Sequence, residues 1–298
     1  MTILITGGTG FIGSYIVKNL SNQGHELVLL KRSFSSTSRI KDVISKIRTY
    51  DIDQYSLEEI FSHHKFDQII HLATAYGRDN DYHKVFDTNL NFPMQLLILG
   101  LNQGLKRFIS TDTFSSKMDV LDYLKTYHLS KRQFHQWGEQ IAEAEDLEFV
   151  NVYLQHPYGP MDGKKKFTSF IMESLLGDDS HIDLTEGKQT RDFVYVEDVA
   201  DAYLTLVNAE SIPEGDIDLG AGTNHSIRSF VELAKEVSDN DSIDLRFGAL
   251  PTRGNEIMNP SSDLSVLKLL GWTPKTDLRE GLGKLYQWHK QSSQTTYK

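Results

Sequence analysis

The sequence TGGTGFIG at residues 6–13 decides the fold. It follows the apolar run MTILI at residues 1–5, which has the length of a short buried strand, and it precedes a helical pattern at residues 15–22. A second buried strand is predicted at residues 26–30. An isolated motif of this kind could be a glycine-rich hairpin turn. The order strand, glycine turn, helix and strand is instead typical of dinucleotide binding.

The glycines have separate roles in such a turn. Gly7 can adopt backbone angles that are closed to other residues, and Gly10 lets the main chain approach an anion. Gly13 lets the helix lie close to the strand. The helix N-terminus offers free N–H groups and a partial positive charge, so we expect Gly7, Gly10, Phe11 and Ile12 to hold the cofactor.

Composition narrows the class of protein. The 298 residues suffice for a full α/β core and a smaller lobe. There is no cysteine, which excludes disulfides and thiolate metal sites and favours a cytoplasmic location. No apolar run approaches the roughly 20 residues of a membrane span. The net charge of −10 opposes binding to nucleic acid or acidic membranes, so local basic residues must meet any anionic ligand.

Strand and helix patterns alternate along the chain. Further strands are predicted at 48–52, 67–73, 106–111 and 149–154, with helices at 57–63, 85–99 and 123–144. After a Pro/Gly-rich loop at 156–163, helices are predicted at 167–176, 227–238, 264–270 and 278–290, a strand leading into a helix at 191–206, and strands at 217–220 and 243–247. This order predicts an α/β protein with a Rossmann-type doubly wound parallel sheet and a smaller, mixed α/β C-terminal substrate lobe. We expect a cofactor-binding domain at residues 1–156, to which 191–208 returns, and the lobe at 157–298.

The second predicted strand ends in basic residues. In dinucleotide folds an acidic residue here usually accepts hydrogen bonds from the adenosine ribose and repels a 2′-phosphate. Lys31 and Arg32 stand at this position, with Arg39 close behind. We therefore expect NADP(H) to be favoured over NAD(H), with a solvated basic loop as the alternative. Asp51, at the end of the third strand, is either an acceptor for the adenine amino group or a plain surface residue.

Tyr127 and Lys131 are four residues apart on a predicted helix, so their side chains share one face. Free tyrosine titrates near ~10, and the charges of Lys131 and an oxidised nicotinamide are expected to lower this pKa. Thr111, at the carboxyl end of a parallel strand, is placed to align a substrate oxygen. Alone the pair would be an ordinary helix surface. With Thr111 and the glycine turn, it predicts proton transfer at a carbonyl or alcohol.

Two other polar residues stand in apolar patterns. His71, in the strand at 67–73, is expected to be a satisfied core histidine, because no partner stands nearby at metal spacing. The remaining histidines are similarly scattered, so no metal site is expected. Asn89, on the helix at 85–99, is expected to hold a water or a backbone group.

Further motifs complete a family pattern. They are HLAT at 71–74, STD at 110–112, YGP at 158–160 and RDFVYVEDV at 191–199. With the glycine turn and Tyr-x-x-x-Lys, they resemble the extended short-chain dehydrogenase/reductases that act on nucleotide sugars, over nearly the full chain. More narrowly, IIHLATAYG, FSSKMD, EFVNVYLQHPYGPMDG and FGALPTRGNEIM resemble the CDP-abequose synthase type, which reduces the 4-keto group of nucleotide-activated deoxyhexoses.

The resemblance implies a set of site residues. The implied catalytic residues are Thr111, Tyr127 and Lys131. The implied cofactor contacts beyond those already named are Asp51, Ile52, Leu72, Ala73, Thr74, Tyr127, Lys131 and Pro157. The implied substrate contacts are Thr111, Asp112, His156, Lys166, Phe167, Arg191 and Arg253, with the two arginines against the nucleotide diphosphate. A homodimer paired through the helices at 85–99 and 123–144 is also implied.

The chain departs from the family pattern at two positions. Sugar dehydratases of this superfamily have Asp-Glu after the threonine, whereas Asp112 is followed here by Thr113, which disfavours a 4,6-dehydratase. Many relatives have Asn where His156 stands. The resemblance as a whole implies that the lobe at 157–298 binds a nucleotide sugar.

The predicted function is NADPH-dependent reduction of the 4-keto group of a CDP- or dTDP-activated 4-keto-6-deoxyhexose. One alternative is a 4-epimerase with tightly bound NAD, against which Lys31 and Arg32 argue. The other is a cofactor-sensing regulatory protein, which would not need the intact catalytic set. The prediction requires the Tyr127 phenol to lie near the glycine turn and not to be buried in packing.

Overall fold

The N-terminal apolar run forms the middle of the main sheet. The computed structural model describes residues 1–77, 81–118, 124–177 and 179–295. β1 (Thr2–Thr6) pairs in parallel with β2 (Glu26–Lys31) on one side and with β4 (Gln68–His71) on the other. The further strands of this sheet are β3 (Arg48–Asp51), β5 (Arg107–Thr113), β6 (Glu148–Leu154) and β10 (Ile217–Leu219).

The seven described strands are all parallel, in the order β10-β6-β5-β4-β1-β2-β3. The chain builds one half outward from β1 and then crosses to β4, so the strand order reverses between β1 and β4. Ligands of such sheets bind beyond the carboxyl ends of the strands at this reversal. The glycine turn after β1 and residues 72–74 after β4 stand at that point. The predicted doubly wound sheet is confirmed.

Helices cover both faces of the sheet because successive strand side chains point in opposite directions. Ile3 and Ile5 pack in a core with α1 (Phe11–Asn22) and α7 (Val196–Asn208). Leu4 packs in a second core on the other face. The helices of that face are α2 (Leu57–His63), α4 (Phe92–Leu101) and α5 (Lys125–Ala144).

The helix predicted at 85–99 is not continuous. It consists of α3 (Tyr82–Phe86), a π-helical turn (Asp87–Asn91) and α4. Residue 123, where the next helix was predicted to begin, lies outside the described residues. Such π-helical turns frequently mark functional sites.

The C-terminal lobe has its own core and two small sheets. β7 (His156–Tyr158) and β11 (Asn224–Ser226) flank β9 (Thr190–Tyr195), and β8 (His181–Leu184) pairs with β12 (Asp244–Phe247). The helices are α6 (Phe167–Leu176), α8 (Ile227–Ser238), α9 (Ser265–Leu269) and α10 (Leu278–Thr295). Among the described helices, none combines the length and apolarity required to cross a membrane.

Two parts of the lobe differ from the sequence-based expectation. The predicted loop at 156–163 begins as strand β7, because its first three residues pair in parallel with β9. Strand β10, expected within the lobe at 157–298, instead pairs with β6 in the main sheet. The chain therefore returns from the lobe twice. Helix α7 packs on a face of the main sheet, and β10 joins the sheet itself.

Candidate active site

The glycine turn and the segment after β4 form one surface. Gly7 has φ of 69°, and a Cβ on it would lie 2.7 Å from the nitrogen of Ala73 and from the carbonyl carbon of Leu72. Thr6 Oγ1 accepts hydrogen bonds from the N–H groups of Leu72 and Ala73, both at 3.2 Å. The predicted cofactor contacts Leu72 and Ala73 therefore lie directly beside the turn.

The cradle formed by this surface fits the phosphates of a dinucleotide. Gly10 is the N-cap of α1 and brings no side chain over the helix end, whose first N–H groups have no partner within the helix. A Cβ on Gly13 would overlap the carbonyl oxygen of Gly7, so only glycine permits this close packing. Phe11 and Ile12 form the first turn of the helix, as the prediction requires.

His71 connects the turn to the sheet. Thr6 Oγ1 lies 2.9 Å from His71 Nδ1. Since Thr6 Oγ1 already accepts from two N–H groups, its own hydrogen goes to Nδ1, and Nε2 carries the imidazole proton. Nε2 has no hydrogen-bond partner among the described residues, and burial keeps the pKa of His71 well below its ordinary value. The expectation of a satisfied core histidine is confirmed for one nitrogen only.

Two of the three predicted catalytic residues, Lys131 and Thr111, meet at the end of β5. Lys131 Nζ donates to the main-chain carbonyl oxygen of Thr111 at 2.7 Å. The Thr111 hydroxyl shares a hydrogen bond of 2.5 Å with the hydroxyl of Tyr203, a buried residue of α7. The main-chain carbonyl of Thr111, and not its hydroxyl, therefore makes the contact with Lys131. Tyr203 went unrecognised in the sequence because nothing in the apolar pattern of α7 distinguishes it.

Asn89 positions the catalytic helix. Its Oδ1 accepts from the Ala75 N–H at 2.8 Å, and its Nδ2 donates to the Ala75 carbonyl at 2.8 Å and to Ser130 Oγ at 3.0 Å. Ser130 Oγ in turn donates to the carbonyl oxygen of Tyr127 at 2.8 Å. The expectation that Asn89 holds a backbone group is confirmed, and the π-helical turn is what aims it between the β4 loop and α5.

Tyr127 lies among site residues but is covered. Its side chain is 6 % exposed, and the Tyr76 ring lies over it with 5.0 Å between the ring centroids and an angle of 37° between the planes. The expectation of an uncovered phenol is therefore wrong. The covering group belongs to the segment after β4 and not to the core, and the Tyr127 hydroxyl also has a hydrogen bond to the Thr74 side chain.

The pKa of Tyr127 is raised well above its ordinary value, mainly by burial and further by Tyr76 and Asp112. The expectation that Lys131 lowers it does not hold for the protein's own groups, because burial outweighs every compensating contact. Burial also lowers the pKa of Lys131 to about 8, against the opposing effect of the Asp112 carboxylate. Tyr127 is thus a protonated phenol, beside a lysine whose charge is held only weakly.

Asp112 is buried at the end of β5. It accepts from the N–H of Thr113 at 2.7 Å and from Asn151 Nδ2 at 3.4 Å. The Thr113 hydroxyl lies 3.1 Å from Ser115 Oγ, which lies 2.9 Å from His128 Nε2. The strand therefore ends in one buried carboxylate and a chain of hydroxyl groups, without the second carboxylate that the dehydratase pattern requires.

Basic residues of the lobe approach from the other side. Lys166 is the N-cap of α6, and its Nζ lies 5.3 Å from the centroid of the Tyr76 ring. His156 packs its ring 4.8 Å from that of Phe114, and burial, Arg191 and Lys166 lower its pKa to about 3. His156 is therefore neutral, and its buried Nδ1 has no hydrogen-bond partner among the described residues.

Arg191 and Arg253 belong to one region of the lobe. Arg191 forms an ion pair with Glu256 and donates to the Ile257 carbonyl at 2.7 Å. Arg253 is exposed in the same loop, after β12. Phe167 turns its ring into the lobe core, 5.5 Å from that of Phe230, so only its main chain is left for the predicted substrate contact.

Lys31 and Asp51 lie together where the adenosine of the cofactor is predicted to bind. They form an ion pair at the ends of β2 and β3. Arg32 is exposed, with its guanidinium carbon 4.8 Å from the centroid of the Phe34 ring. Ile52 packs in the core on the α2 side of the sheet. Of the basic residues, Arg32 is therefore the one presented to solvent.

Two residues of the cofactor side, Arg39 and Tyr15, form hydrogen bonds with the lobe. Arg39 donates from Nε and Nη2 to the Met161 carbonyl at 3.1 and 3.0 Å, and from Nη1 to the Thr9 carbonyl at 3.5 Å. The Tyr15 hydroxyl donates to the Pro160 carbonyl at 3.0 Å. The loop after β7, which begins beside the predicted contact Pro157, is thereby fixed against the glycine turn. The contacts with Met161 and Pro160 join residues over 100 positions apart and were not predicted from the sequence.

Comparison with known proteins agrees with this arrangement. The family model described as the NAD dependent epimerase/dehydratase family matches residues 3–220. The chain belongs to this family. Its members are enzymes that use a nicotinamide cofactor, and the matched range contains the glycine turn and the catalytic set. Within the described ranges, no group of three or more metal-ligating residues is placed to hold a metal ion.

Individual relatives are similar over nearly the whole chain. CDP-abequose synthase from Salmonella typhimurium is 32% identical over 290 residues, covering 95% of this chain and 96% of the relative. A putative UDP-glucose 4-epimerase from Methanocaldococcus jannaschii is 26% identical over 314 residues, with 98% and 100% covered. The UDP-glucose 4-epimerase structure from Thermotoga maritima superposes with a TM-score of 0.84 at 24% identity, covering 98% and 100%, and shares the fold.

Proposed function

We propose that this enzyme uses NADPH to reduce the 4-keto group of a CDP- or dTDP-activated 4-keto-6-deoxyhexose, in the biosynthesis of deoxysugars such as those of O-antigen polysaccharides. The observation that carries the proposal is the contact of Lys131 Nζ with the Thr111 carbonyl at the end of β5, with Tyr127 one turn earlier on the same helix and hydrogen-bonded to the Thr74 side chain. The similarity to CDP-abequose synthase supports the substrate class.

The proposed reduction assigns a role to each of these side chains. Reduction of a ketone requires a hydride and a proton, and bound NADPH would supply the hydride. Tyr127, whose pKa is raised by burial, donates the proton to the developing alkoxide. Lys131 places a positive charge near the phenolate that remains, and its contact with Thr111 fixes the ammonium group in position.

The lobe would hold the nucleotide diphosphate. Lys166 and Arg191 are cations near His156 in a chain whose net charge is −10. Arg253 lies in the loop that also contains Glu256, the ion-pair partner of Arg191. We propose that the diphosphate competes with Glu256 for Arg191, since an arginine binds either anion through the same fork of N–H groups.

A preference for NADPH is proposed on the basis of Arg32. Lys31 is already paired with Asp51, so Arg32 is the exposed cation at the end of β2 that can meet a 2′-phosphate. Arg32→Ala should raise the KM for NADPH about tenfold and leave that for NADH within about twofold, since a charge-assisted hydrogen bond contributes about 1.5–3 kcal/mol. Equal changes for both cofactors would contradict the preference.

The alternative is a 4-epimerase, which is favoured by the names of two of the similar proteins. A reductase and an epimerase both use such a tyrosine, as an acid in reduction and as a base in oxidation, so the raised pKa of Tyr127 does not separate them. Reduction is preferred because CDP-abequose synthase is 32% identical to this chain, against 26% for the putative 4-epimerase, and because Arg32 is exposed at the end of β2.

The deciding experiment mixes the protein with NADPH and CDP- or dTDP-4-keto-6-deoxyglucose and follows the absorbance of the reduced cofactor. Stoichiometric consumption with formation of the alcohol is expected. Sugar interconversion without net consumption would establish the epimerase. Tyr127→Phe should lower kcat by roughly 10²–10⁴-fold while cofactor binding is retained, and undiminished turnover would disprove the catalytic assignment.

We also propose a homodimer formed through α4 and α5. Ile98 on α4 and Leu129 and Trp137 on α5 are large apolar side chains, each about half exposed. Apolar groups of this size on two adjacent helices favour association of two copies.

A further inference from the structure

The residue that covers the catalytic phenol has no assigned role. Tyr76 is 39 % exposed, whereas Tyr127 beneath it is 6 % exposed. The Tyr76 ring, with 5.0 Å between its centroid and that of Tyr127, therefore forms part of the cover over Tyr127 and is itself open to solvent. A sugar that approaches Tyr127 from the side of Tyr76 would contact this ring.

The position of Tyr76 is built into the fold. Ala75 is fixed by two hydrogen bonds with Asn89, one donated by the Ala75 N–H and one accepted by the Ala75 carbonyl, and Gly77 follows with φ of 65°. A Cβ on Gly77 would lie 2.6 Å from a methyl of Val85 and 3.3 Å from Thr126 Oγ1, so the segment packs closely on the start of α5. The Lys166 ammonium group lies 5.3 Å from the ring centroid and approaches it from the lobe. Three separate elements therefore hold this ring.

We propose that Tyr76 determines specificity for deoxygenated sugars by lining the entrance to Tyr127 with an aromatic face. This inference rests on the proposed reduction at C4. The face of a tyrosine ring provides apolar contact for a methyl or methylene group but no partner for a hydroxyl. A hydroxyl at C3 or C6 would lose water without gaining a hydrogen bond, whereas a deoxygenated carbon gains from being buried. Discrimination of this kind reaches about 100-fold in known enzymes.

The test compares matched pairs of stable substrates in the oxidative direction with NADP⁺. One pair is a dTDP-6-deoxyhexose and the dTDP-hexose of the same configuration, and the other is its 3-deoxy and 3-hydroxy counterparts. The measured quantity is the ratio of kcat/KM between deoxygenated and hydroxylated members. The wild type is expected to prefer a deoxygenated member by about 10–100-fold. Tyr76→Phe should preserve the ratio within about twofold, and Tyr76→Ser should bring it near unity in at least one pair.

Tyr55→Ser is the matched control, because Tyr55 is similarly exposed, at 42 %, and lies beyond β3. It should leave both ratios unchanged. If Tyr76→Ser lowers kcat/KM equally for both members of each pair, Tyr76 has a structural role only and the inference is overturned.

The inference about Tyr76 can be tested separately from the proposed function. Should the wild type turn over none of these sugars, the ratio is read instead from their dissociation constants, measured by calorimetry with NADP⁺ present. The expected loss of preference in Tyr76→Ser applies to those constants as well. An unchanged binding ratio would overturn the inference independently of turnover.

Discussion

Lys131 is an ammonium group almost without access to water. It donates to the Thr111 carbonyl at 2.7 Å, and the Asp112 carboxylate stabilises its charged form, yet burial still lowers its pKa to about 8. A lysine in this state keeps its charge at neutral pH but loses it well before an exposed lysine would. The charge that would support a Tyr127 phenolate is therefore sensitive to pH.

We expect kcat/KM for reduction to fall above pH about 8. Below that pH Lys131 is charged, and above it the proton is lost. On the alkaline side kcat/KM should therefore fall by up to tenfold per pH unit. Lys131→Arg should shift the fall to higher pH, because a guanidinium group stays protonated. Lys131→Met should lower kcat/KM by roughly 10²–10⁴-fold below pH about 8 and abolish the fall at higher pH.

The exposed Lys268 provides the control for this profile. Lys268→Met should leave the pH at which kcat/KM begins to fall unchanged from the wild type. A wild-type profile that stays flat to pH 10 would show that the charge of Lys131 does not limit the reaction.

At the scale of elements, α5 can lie close to the sheet because Gly138 on this helix has no side chain. A Cβ on Gly138 would overlap the ring of Phe149, a residue of β6. This close packing brings the catalytic helix near β5, where Lys131 reaches the Thr111 carbonyl. The distance between α5 and the sheet is thus part of the site.

Gly138→Ala should lower the free energy of unfolding by about 1–3 kcal/mol through overpacking, as measured by urea denaturation. Phe149→Leu should relieve part of this cost in the double mutant, because the leucine removes the ring atoms in conflict. Gly283→Ala on α10 is the matched control. Nothing lies near a Cβ there, so it should be neutral or stabilise by up to about 1 kcal/mol. Equal losses in both variants would contradict the packing argument.

The elements differ in how far sequence predicts them. Strands β1, β2, β4, β5 and β6 of the main sheet were predictable because parallel strands buried on both faces appear as largely apolar runs. Strands β8 and β11 were missed, since short, partly exposed strands depend on their partners more than on their own residues. The same reason explains β7, which exists only through its pairing with β9.

The candidate site, like the fold, was predictable only in part. Tyr127, Lys131 and Thr111 carry their signal in spacing and position along the chain. Tyr76 carries none, because its place over Tyr127 depends on the Asn89 hydrogen bonds to Ala75. Tertiary contacts of this kind decide which side chain covers a reactive group.

At the scale of the whole molecule, the proposed dimer places the catalytic helix at an interface. Trp137 is 55 % exposed on α5, and Trp137→Glu would introduce a charge opposite its own copy. We expect this variant to sediment as a monomer at concentrations where the wild type is a dimer. Leu269→Glu, at a side chain that is 77 % exposed on α9, should leave the dimer intact. A wild type that is monomeric at tens of micromolar would refute the proposal.

The hydrogen bonds from Arg39 to Met161 and Thr9, and from Tyr15 to Pro160, have a kinetic consequence. They hold the loop after β7, which is proposed to line the sugar site, against the glycine turn, so we expect a dinucleotide bound at the turn to complete that site. Such an enzyme should follow a compulsory order, with NADPH entering first and NADP⁺ departing last. Product inhibition by NADP⁺ would then be competitive towards NADPH and of mixed type towards the sugar.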